Sequence, residues 1–496
     1  MVSSAPADGC HFGRAVLLQW NGGIVVRSEG TVRVLSFLGD WSRPGEPLYK
    51  SLAGAIEACV LRKELVPGER LPSERELAAD LGISRTTVLR AFQHLKESGV
   101  VVGQRGSGTR VAGAPGAKVS LPKVVRSASR LAPGGQKASS GTVDLSITAP
   151  EAPEALAQII VEQGAFLLSE RDYHPQGLPQ LRIMIASRYD NAGLPTIPEQ
   201  IIITTGAQQA ISLVAAAELS RGDRVLIEDP TYHGAIDAYS LAGARLVGVP
   251  MGRLGLCPIV TRHMVLSISP RLLHVTPNHQ NPTGVVYTSD VRAELAEIAD
   301  ETGLTVLEDD TLSALWFDEE PPPPLASWSR KDRVVTVGSF SKTLWAGLRV
   351  GWLRVPRREV GRYVAIKVAA DLGTGLLGQA LLVSAGSTID SLIRARVAHL
   401  RSARDIMSTL LRQHMPDWTF VPPGGGAFLW VDVGGLNTAA FQQLALRQGV
   451  LCTEGDLLSP TRSVLHHLRL AFDQPVESLE LGVRRLAAAR ANSVRG

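Results

Sequence analysis

Residues 339–351 read Ser339-Phe340-Ser341-Lys342-Thr343-Leu344-Trp345-Ala346-Gly347-Leu348-Arg349-Val350-Gly351 and follow directly on the β-branched run Val334 to Val337. A β-branched run entering small residues reads as a strand entering a turn. It sets Lys342 at the strand's end, fixed in space and partly withdrawn from water. Withdrawal disfavours the ammonium, so the amine becomes available to condense with an aldehyde. Ser339, three residues before, and Arg349, seven after, can together hold a phosphate through a hydroxyl and a charge-assisted fork. An aldehyde and a phosphate on one small molecule describe pyridoxal 5'-phosphate (PLP). Taken alone, a serine three residues ahead of a lysine more often marks a surface lysine, so the rest of the chain has to decide.

Three upstream segments fall in the order that a PLP pocket needs. Thr205-Gly206-Ala207-Gln208-Gln209-Ala210 follows the apolar run Ile201 to Ile203 and opens a helical pattern through Leu213, Val214 and Ala217. Strand, glycine turn and helix start form an anion site, because free N–H groups and the helix dipole face the same way. Asp229-Pro230-Thr231-Tyr232 offers Tyr232 to stack on a ring, although a lone tyrosine is more often core. Thr276-Pro277-Asn278-His279-Gln280-Asn281-Pro282-Thr283-Gly284 is followed about a helix later by Thr305-Val306-Leu307-Glu308-Asp309-Asp310. Acids at the end of an apolar strand sit at a sheet's ligand-binding edge. There Asp309 can pair with a pyridinium nitrogen and preserve the cofactor's electron sink, and Asn281 can donate to the ring oxygen. Read singly, the three acids are more often solvated loop residues or a divalent cation site.

Together, in this order, the segments resemble the fold-type I, class I/II aminotransferases across roughly residues 143–490. The resemblance implies Lys342 as the residue joined to PLP, Asp309 opposite the pyridine nitrogen, Asn281 near the phenolic oxygen and Tyr232 on the ring face. It implies Gly206, Ala207, Gln208, Ser339 and Arg349 around the phosphate, with Tyr173 of Tyr173-His174-Pro175-Gln176-Gly177 reaching the phosphate of a partner subunit. Leu468-Arg469-Leu470-Ala471-Phe472 resembles the segment whose arginine grips a substrate carboxylate, a task that suits the planar fork of Arg469. Where the family places a tyrosine two or three residues after the aspartate, this chain has Thr311 and Leu312. The departure concerns the tuning of the ring oxygen more than binding.

Residues 47–111 follow a different pattern. Leu48, Leu52, Ile56 and Val60 recur at helical spacing, which predicts an amphipathic helix. After Pro67-Gly68, Leu71-Pro72-Ser73-Glu74-Arg75-Glu76-Leu77-Ala78 predicts a helix with Ser73 as N-cap and Glu76 completing a capping box. Gly82-Ile83-Ser84 makes a turn into a helix from Arg85 to about Ser98, with Val88, Ala91, Phe92 and Leu95 inward. Helix, glycine turn and a second helix opening with Arg85-Thr86-Thr87 is helix-turn-helix geometry, whose second helix reads base edges. Val100 to Val102 and Thr109 to Val111 around Gln104-Arg105-Gly106-Ser107-Gly108 predict a hairpin wing. LPSERELA, LGISRTTV and the GxGT wing resemble the winged-helix domain of the GntR family. That resemblance implies Arg75 and Arg85 at phosphates or bases, Thr86 and Thr87 at the recognition-helix start, and Arg105 with Gly106 at the minor-groove wing tip. Leu89, followed by Arg90, stands where the family often has arginine.

The composition of the 496 residues, 45% hydrophobic and 20% charged, describes globular domains and excludes a chain disordered throughout. A net charge of +4 permits a nucleic-acid partner without requiring one. Between residues 113 and 142 the charged residues are Lys118, Lys123, Arg126, Arg130 and Lys137, with no acid, which predicts a basic flexible linker, either near DNA backbone or simply solvated. Cys10, Cys59, Cys257 and Cys452 are scattered, with no metal-binding spacing, and suit a reducing cytoplasm. No apolar run suggests a membrane span or secretion signal. Residues 1–34 form an extension of unknown role, in which Val16 to Leu18 and Ile24 to Val26 flank Asn21-Gly22-Gly23 as in a hairpin, or else an unstructured or over-long start.

The expected chain is multidomain: a winged helix-turn-helix (α+β) over 35–112, the linker over 113–142, and an α/β PLP-dependent transferase-like fold over 143–490 with a mostly parallel sheet flanked by helices. That order resembles the MocR family of transcriptional regulators. The resemblance implies a head-to-tail homodimer bound to a double-stranded DNA operator, sensing PLP or an amino acid or amine. Thr311 and the tether to a DNA reader favour a ligand that stays over one that is consumed, which leaves room for residual transamination. A functioning aminotransferase with a DNA-binding appendage, and a repressor whose second half only dimerises, are the alternatives.

Overall fold

The computed structural model describes residues 15–20, 23–28, 38, 41–42, 47–61, 64–65, 69, 71–97, 100–104, 108–111, 141–159 and 172–493. The chain divides into two compact units, residues 1–120 and 121–496.

In the first unit, β1 (Ala15–Trp20) and β2 (Gly23–Ser28) pair antiparallel, with Val16 opposite Arg27, as the hairpin reading expects. Three helices follow: α1 (Leu48–Leu61), α2 (Glu74–Leu81) and α3 (Arg85–Glu97). The capping box is present, with Glu76 N–H donating to Ser73 Oγ at 3.2 Å and Ser73 N–H donating to Glu76 Oε2 at 2.8 Å. Gly82 adopts φ 64°, a left-handed cap that stops α2 and frees the chain to turn into α3. The stripe expected on α1 is displaced: Leu52, Ala53, Ile56 and Cys59 are buried, while Leu48 is 44% exposed. The core takes an a/d-like face, and the four-residue row drifts off it because 3.6 residues make a turn. Val88, Ala91, Phe92 and Leu95 of α3 close this core. β3 (Val101–Gln104) and β4 (Gly108–Val111) pair antiparallel as the wing, and β4 is tied to the helices by Leu71 N–H donating to Thr109 O at 2.9 Å. Arg105 and Gly106, at the expected wing tip, lie outside the described residues.

The second unit is built on one large sheet. Its strands are β6 (Ile201–Thr204), β7 (Arg224–Asp229), β8 (Arg245–Gly252), β9 (Gly255–Leu256), β10 (Leu272–Val275), β11 (Thr305–Asp309), β12 (Val334–Ser339) and β13 (Gly351–Arg354), in spatial order β6-β13-β12-β11-β10-β7-β8-β9. From β12 through β8 the pairings are parallel, and β13 runs antiparallel between β12 and β6. Buried on both faces, these strands read as continuous apolar runs. Alternate residues feed two layers: Ile201, Ile203, Leu226, Val306 and Val334 enter one core, and Ile202, Val225, Ile227, Leu307 and Val335 the other. The second of these cores also takes Ala210, Ile211 and Val214 from α4 (Ala207–Glu218), the helix that opens just after β6. A smaller sheet, β14 (Phe428–Asp432), β17 (His467–Ala471) and β16 (Thr453–Glu454), packs with the long helix α5 (Thr388–His414) and α6 (Val476–Ser493) around a third core. β5 (Val143–Asp144) joins it by pairing with β15 (Val450–Leu451). Among the described residues no single helix is long and apolar enough to cross a membrane.

Candidate functional site

Parallel strands deliver their C-terminal ends to one edge of the sheet, and the connections there surround a cavity of about 190 Å³. It is lined by Ala207, Gln208, Tyr232, Asn281, Asp309, Ser339, Lys342, Arg349 and Arg469, all expected from the sequence, and also by Thr148, His233, Thr276, Ser341 and Phe428. Antiparallel β13 brings Arg349 to the same edge, because Gly351 pairs with Ser339 at the end of β12. Gly351 has to be glycine: a Cβ there would lie 2.7 Å from the Gly206 backbone.

One end of the cavity is built for an anion. Gly206, at φ 107°, turns the chain into α4, whose first N–H groups have no helical acceptor. A Cβ on Gly206 would come within 2.9 Å of the Arg349 guanidinium, which itself donates to Thr205 O at 2.6 Å. Ser339 and Ser341 are buried, with hydroxyls 3.1 Å apart. Ser341 lies in the turn after β12 and is held beside Ser339 by donating its N–H to Ser339 Oγ at 3.1 Å.

The three acids at the end of β11 separate by environment. Glu308 accepts from Leu325 N–H at 2.6 Å and Ala326 N–H at 3.2 Å, and Asp310 accepts from Asn278 Nδ2 at 2.7 Å. Asp309, 4% exposed, takes both Thr311 N–H at 3.1 Å and the Thr311 hydroxyl at 2.7 Å on Oδ1. Burial pushes the Asp309 carboxyl up, and the two Thr311 bonds oppose it. Among the described residues it has no cationic partner, so a protonated ring nitrogen fits it. No group of His, Cys, Asp or Glu among the described residues is arranged to hold a metal ion. Tyr232 donates its hydroxyl to Gln208 Oε1 at 3.0 Å, and the Thr276 hydroxyl is buried without a partner.

The other end brings together Lys342 and Arg469, with which no acid pairs among the described residues. Lys342 Nζ donates to Thr148 O at 2.7 Å. Withdrawal from solvent, with Arg469 close by, lowers its pKa to about 8, while Asp473 opposes the shift. Arg469, only 2% exposed, donates to Asn281 Oδ1 at 3.0 Å and Ser146 O at 2.7 Å, stands 4.3 Å over the Phe428 ring, and keeps a buried Nε with no partner. Burial lowers even its pKa, to about 10. Among the described residues it forms no ion pair; Nη2 also donates to the Thr453 hydroxyl at 3.3 Å, which leaves its charge, Nε and one Nη1 hydrogen for a carboxylate. Asp473 is engaged with Arg396 and with the Thr148 hydroxyl. Tyr173 stands outside this cavity, 71% exposed.

In the first unit, Ser84 caps α3 by accepting Thr87 N–H at 3.1 Å, and its hydroxyl lies 2.8 Å from that of Thr87. Ser84, Thr86, Thr87 and Arg90 line a surface groove with Tyr49. Arg75 and Arg85 are exposed, and Arg85 pairs with Glu74 at 3.6 Å, a surface contact of small energetic value.

Comparison with known proteins gives the families. Residues 143–486 match aminotransferase class I and II, and residues 48–111 match the bacterial regulatory proteins of the gntR family. The 2-aminoadipate transaminase of Thermus thermophilus is 34% identical over 348 residues, 68% of this chain and 85% of the relative. MocR of Rhizobium meliloti, named as a probable rhizopine catabolism regulatory protein, is 29% identical over 392 residues, 75% of this chain and 78% of its own length. The crystal structure of LysN, the α-aminoadipate aminotransferase of Thermus thermophilus, complexed with N-(5'-phosphopyridoxyl)-L-leucine, aligns with TM-score 0.66 and 30% identity over 72% of this chain and 93% of LysN. PLP is the cofactor of this fold, and the anion cradle, the unpaired buried Asp309 and the depressed lysine fit it. The chain belongs to the aminotransferase class I and II family and, with a GntR-family regulatory domain ahead of that fold, has the composition of the MocR-type transcriptional regulators.

Proposed function

We propose that this protein is a transcriptional regulator of the cytoplasm that reads a double-stranded DNA operator with its winged helix and senses PLP, or an amino compound meeting PLP, in the cavity around Lys342. Arg75, Arg85, Thr86, Thr87, Arg105 and Gly106 serve DNA. The N–H groups after Gly206, with Ser339, Ser341 and Arg349, hold the phosphate. Asp309 keeps a proton on the ring nitrogen, Tyr232 covers the ring, and Asn281 faces its oxygen. PLP in that position supplies an aldehyde for amines and an electron-withdrawing ring. Lys342 contributes an amine whose neutral form is reached near pH 8, and Arg469 takes the carboxylate of the incoming compound. The reading includes a head-to-tail homodimer in which Tyr173 reaches the partner's site.

The observation that carries it is the pairing of Lys342 and Arg469 in one buried cavity, neither of them, among the described residues, in an ion pair with an acid. A ligand that binds one state of the protein better shifts that state's population by its differential affinity. The enzyme reading differs by one requirement, repeated turnover. Thr311 and Leu312, where the family places a tyrosine, leave the ring oxygen less controlled and favour a ligand that stays. The test screens amino acids against PLP-loaded protein by spectral shift, then measures operator affinity and keto-acid release. The expected result is a carboxylated amine that changes operator affinity with little keto acid, its binding weakened about 10- to 100-fold by Arg469→Ala through loss of a charge-assisted contact. Turnover near the enzyme median of about 10 per second, with operator affinity unchanged, establishes the enzyme instead.

A further inference from the structure

At the end of β11, three consecutive acids differ in who holds them. Glu308 is tied to the 325–326 backbone, and Asp310 to Asn278. Among the described residues, the side chain of Asp309 receives hydrogen bonds from Thr311 alone, at 2.7 Å from the hydroxyl and 3.1 Å from the N–H, both on Oδ1. Thr311 and Asp309 both line the cavity. With Oδ1 occupied twice, Oδ2 is the oxygen left for a ligand.

We infer that Thr311 is a positioning residue for the pyridine nitrogen of PLP: it pins one oxygen of Asp309 and presents the other to the ring nitrogen. The inference rests on the cavity binding PLP.

Two donors on one oxygen stop the carboxylate from rotating, so the lone pairs of Oδ2 keep one direction. They also decide where a shared proton sits. Each hydrogen bond that a carboxylate accepts lowers its basicity, which leaves the proton on the ring nitrogen. Burial works the other way, raising the proton affinity of Asp309. Loss of the Thr311 hydroxyl would therefore let Asp309 draw the proton toward itself. The groups that sense the charge of Asp309 are Glu228, Tyr232 and Tyr239, while Lys342, Arg349 and Arg469 line the same cavity. Among the described residues none of these donates to it, so Thr311 is the local control.

The test uses the full chain as wild type, Thr311→Val and Thr311→Ser. PLP affinity is measured by absorbance titration, and ring protonation by the nitrogen chemical shift of isotope-labelled PLP across pH. The expected result is roughly tenfold weaker PLP binding for Thr311→Val, the value of one charge-assisted hydrogen bond, with the nitrogen shift displaced toward that of the unprotonated ring across the pH range. Thr311→Ser restores both. Should Thr311→Val fail to fold, Thr311→Ala carries the same comparison. Wild-type affinity and nitrogen shift in Thr311→Val overturn the inference while leaving the PLP reading intact, and so do equal losses in the valine and serine variants, which indicate packing. A wild-type chain that takes up no PLP overturns both.

Discussion

Lys342 is shaped as an amine by its surroundings more than by its own chemistry. Its pKa falls from 10.5 to about 8 because the ammonium loses water and meets Arg469. The folded value lies below the unfolded one, so the charge costs the fold stability below pH 8, and that cost fades as pH rises from 8 toward 10.5. The same shift governs reactivity. The rate of PLP capture by apoprotein, followed as a visible band, is expected to rise with pH and level off above about 8, falling about tenfold for each unit below. A flat profile between pH 6 and 8 contradicts the assignment. Lys342→Ala is expected to remain folded and to retain no covalently fixed PLP after borohydride reduction, checked by mass spectrometry. The lysine, its serine and its arginine were legible in one short stretch of sequence. The Thr148 carbonyl that holds the amine was not, because its donor lies 194 residues away and a carbonyl has no residue-type signature.

At the scale of elements, short-range rules carried far in the first unit. Ser73 and Glu76 cap α2 reciprocally, and Gly82 ends it with positive φ. Both features are local: three residues of spacing decide whether an orphan N–H finds an acceptor. Ser73→Ala is expected to destabilise the first unit by about 1 kcal/mol, read from its urea transition by limited proteolysis of the full chain. An unchanged midpoint contradicts the cap. The placing of α1 was less legible. Leu48 to Val60 showed that a helix has an apolar side, but Ala53 and Cys59, small residues in the core that α3 closes, decided which side goes in. In the second unit, β13 ran against its neighbours, which no local pattern in Gly-Trp-Leu-Arg announces. Its direction is set by strand pairing, and that direction brings Arg349 to the cavity.

For the whole molecule, the two units answer to different ligands. Within the protein Arg85→Ala removes only an exposed pair with Glu74, and in the proposed reading it also removes a phosphate or base contact. Operator binding is expected to weaken by about 1 to 3 kcal/mol, with a salt slope reduced by about one counterion if the contact is a phosphate, while the PLP band and its affinity stay as in wild type. Binding measured across salt concentrations, beside a PLP titration, checks both halves. Equal operator affinity removes Arg85 from the interface. A changed PLP affinity in the absence of DNA means that the cavity and the recognition helix already communicate without DNA.

The sequence by itself determined the succession of strand, turn and helix, the capped helix-turn-helix, and the aspartate, lysine and arginines that line the cavity. Each of these rests on residue type at short spacing, where backbone propensity and hydrogen-bonding reach act within one turn. Only the tertiary structure decided that Glu308, Asp309 and Asp310 face three different surroundings, and that Arg469 lies over Phe428 beside Asn281. It alone showed Thr311 turned toward Asp309. Three adjacent acids look alike in a sequence. Burial, strand pairing and contacts between distant segments distinguish them, because desolvation and hydrogen bonding are properties of a place in the fold.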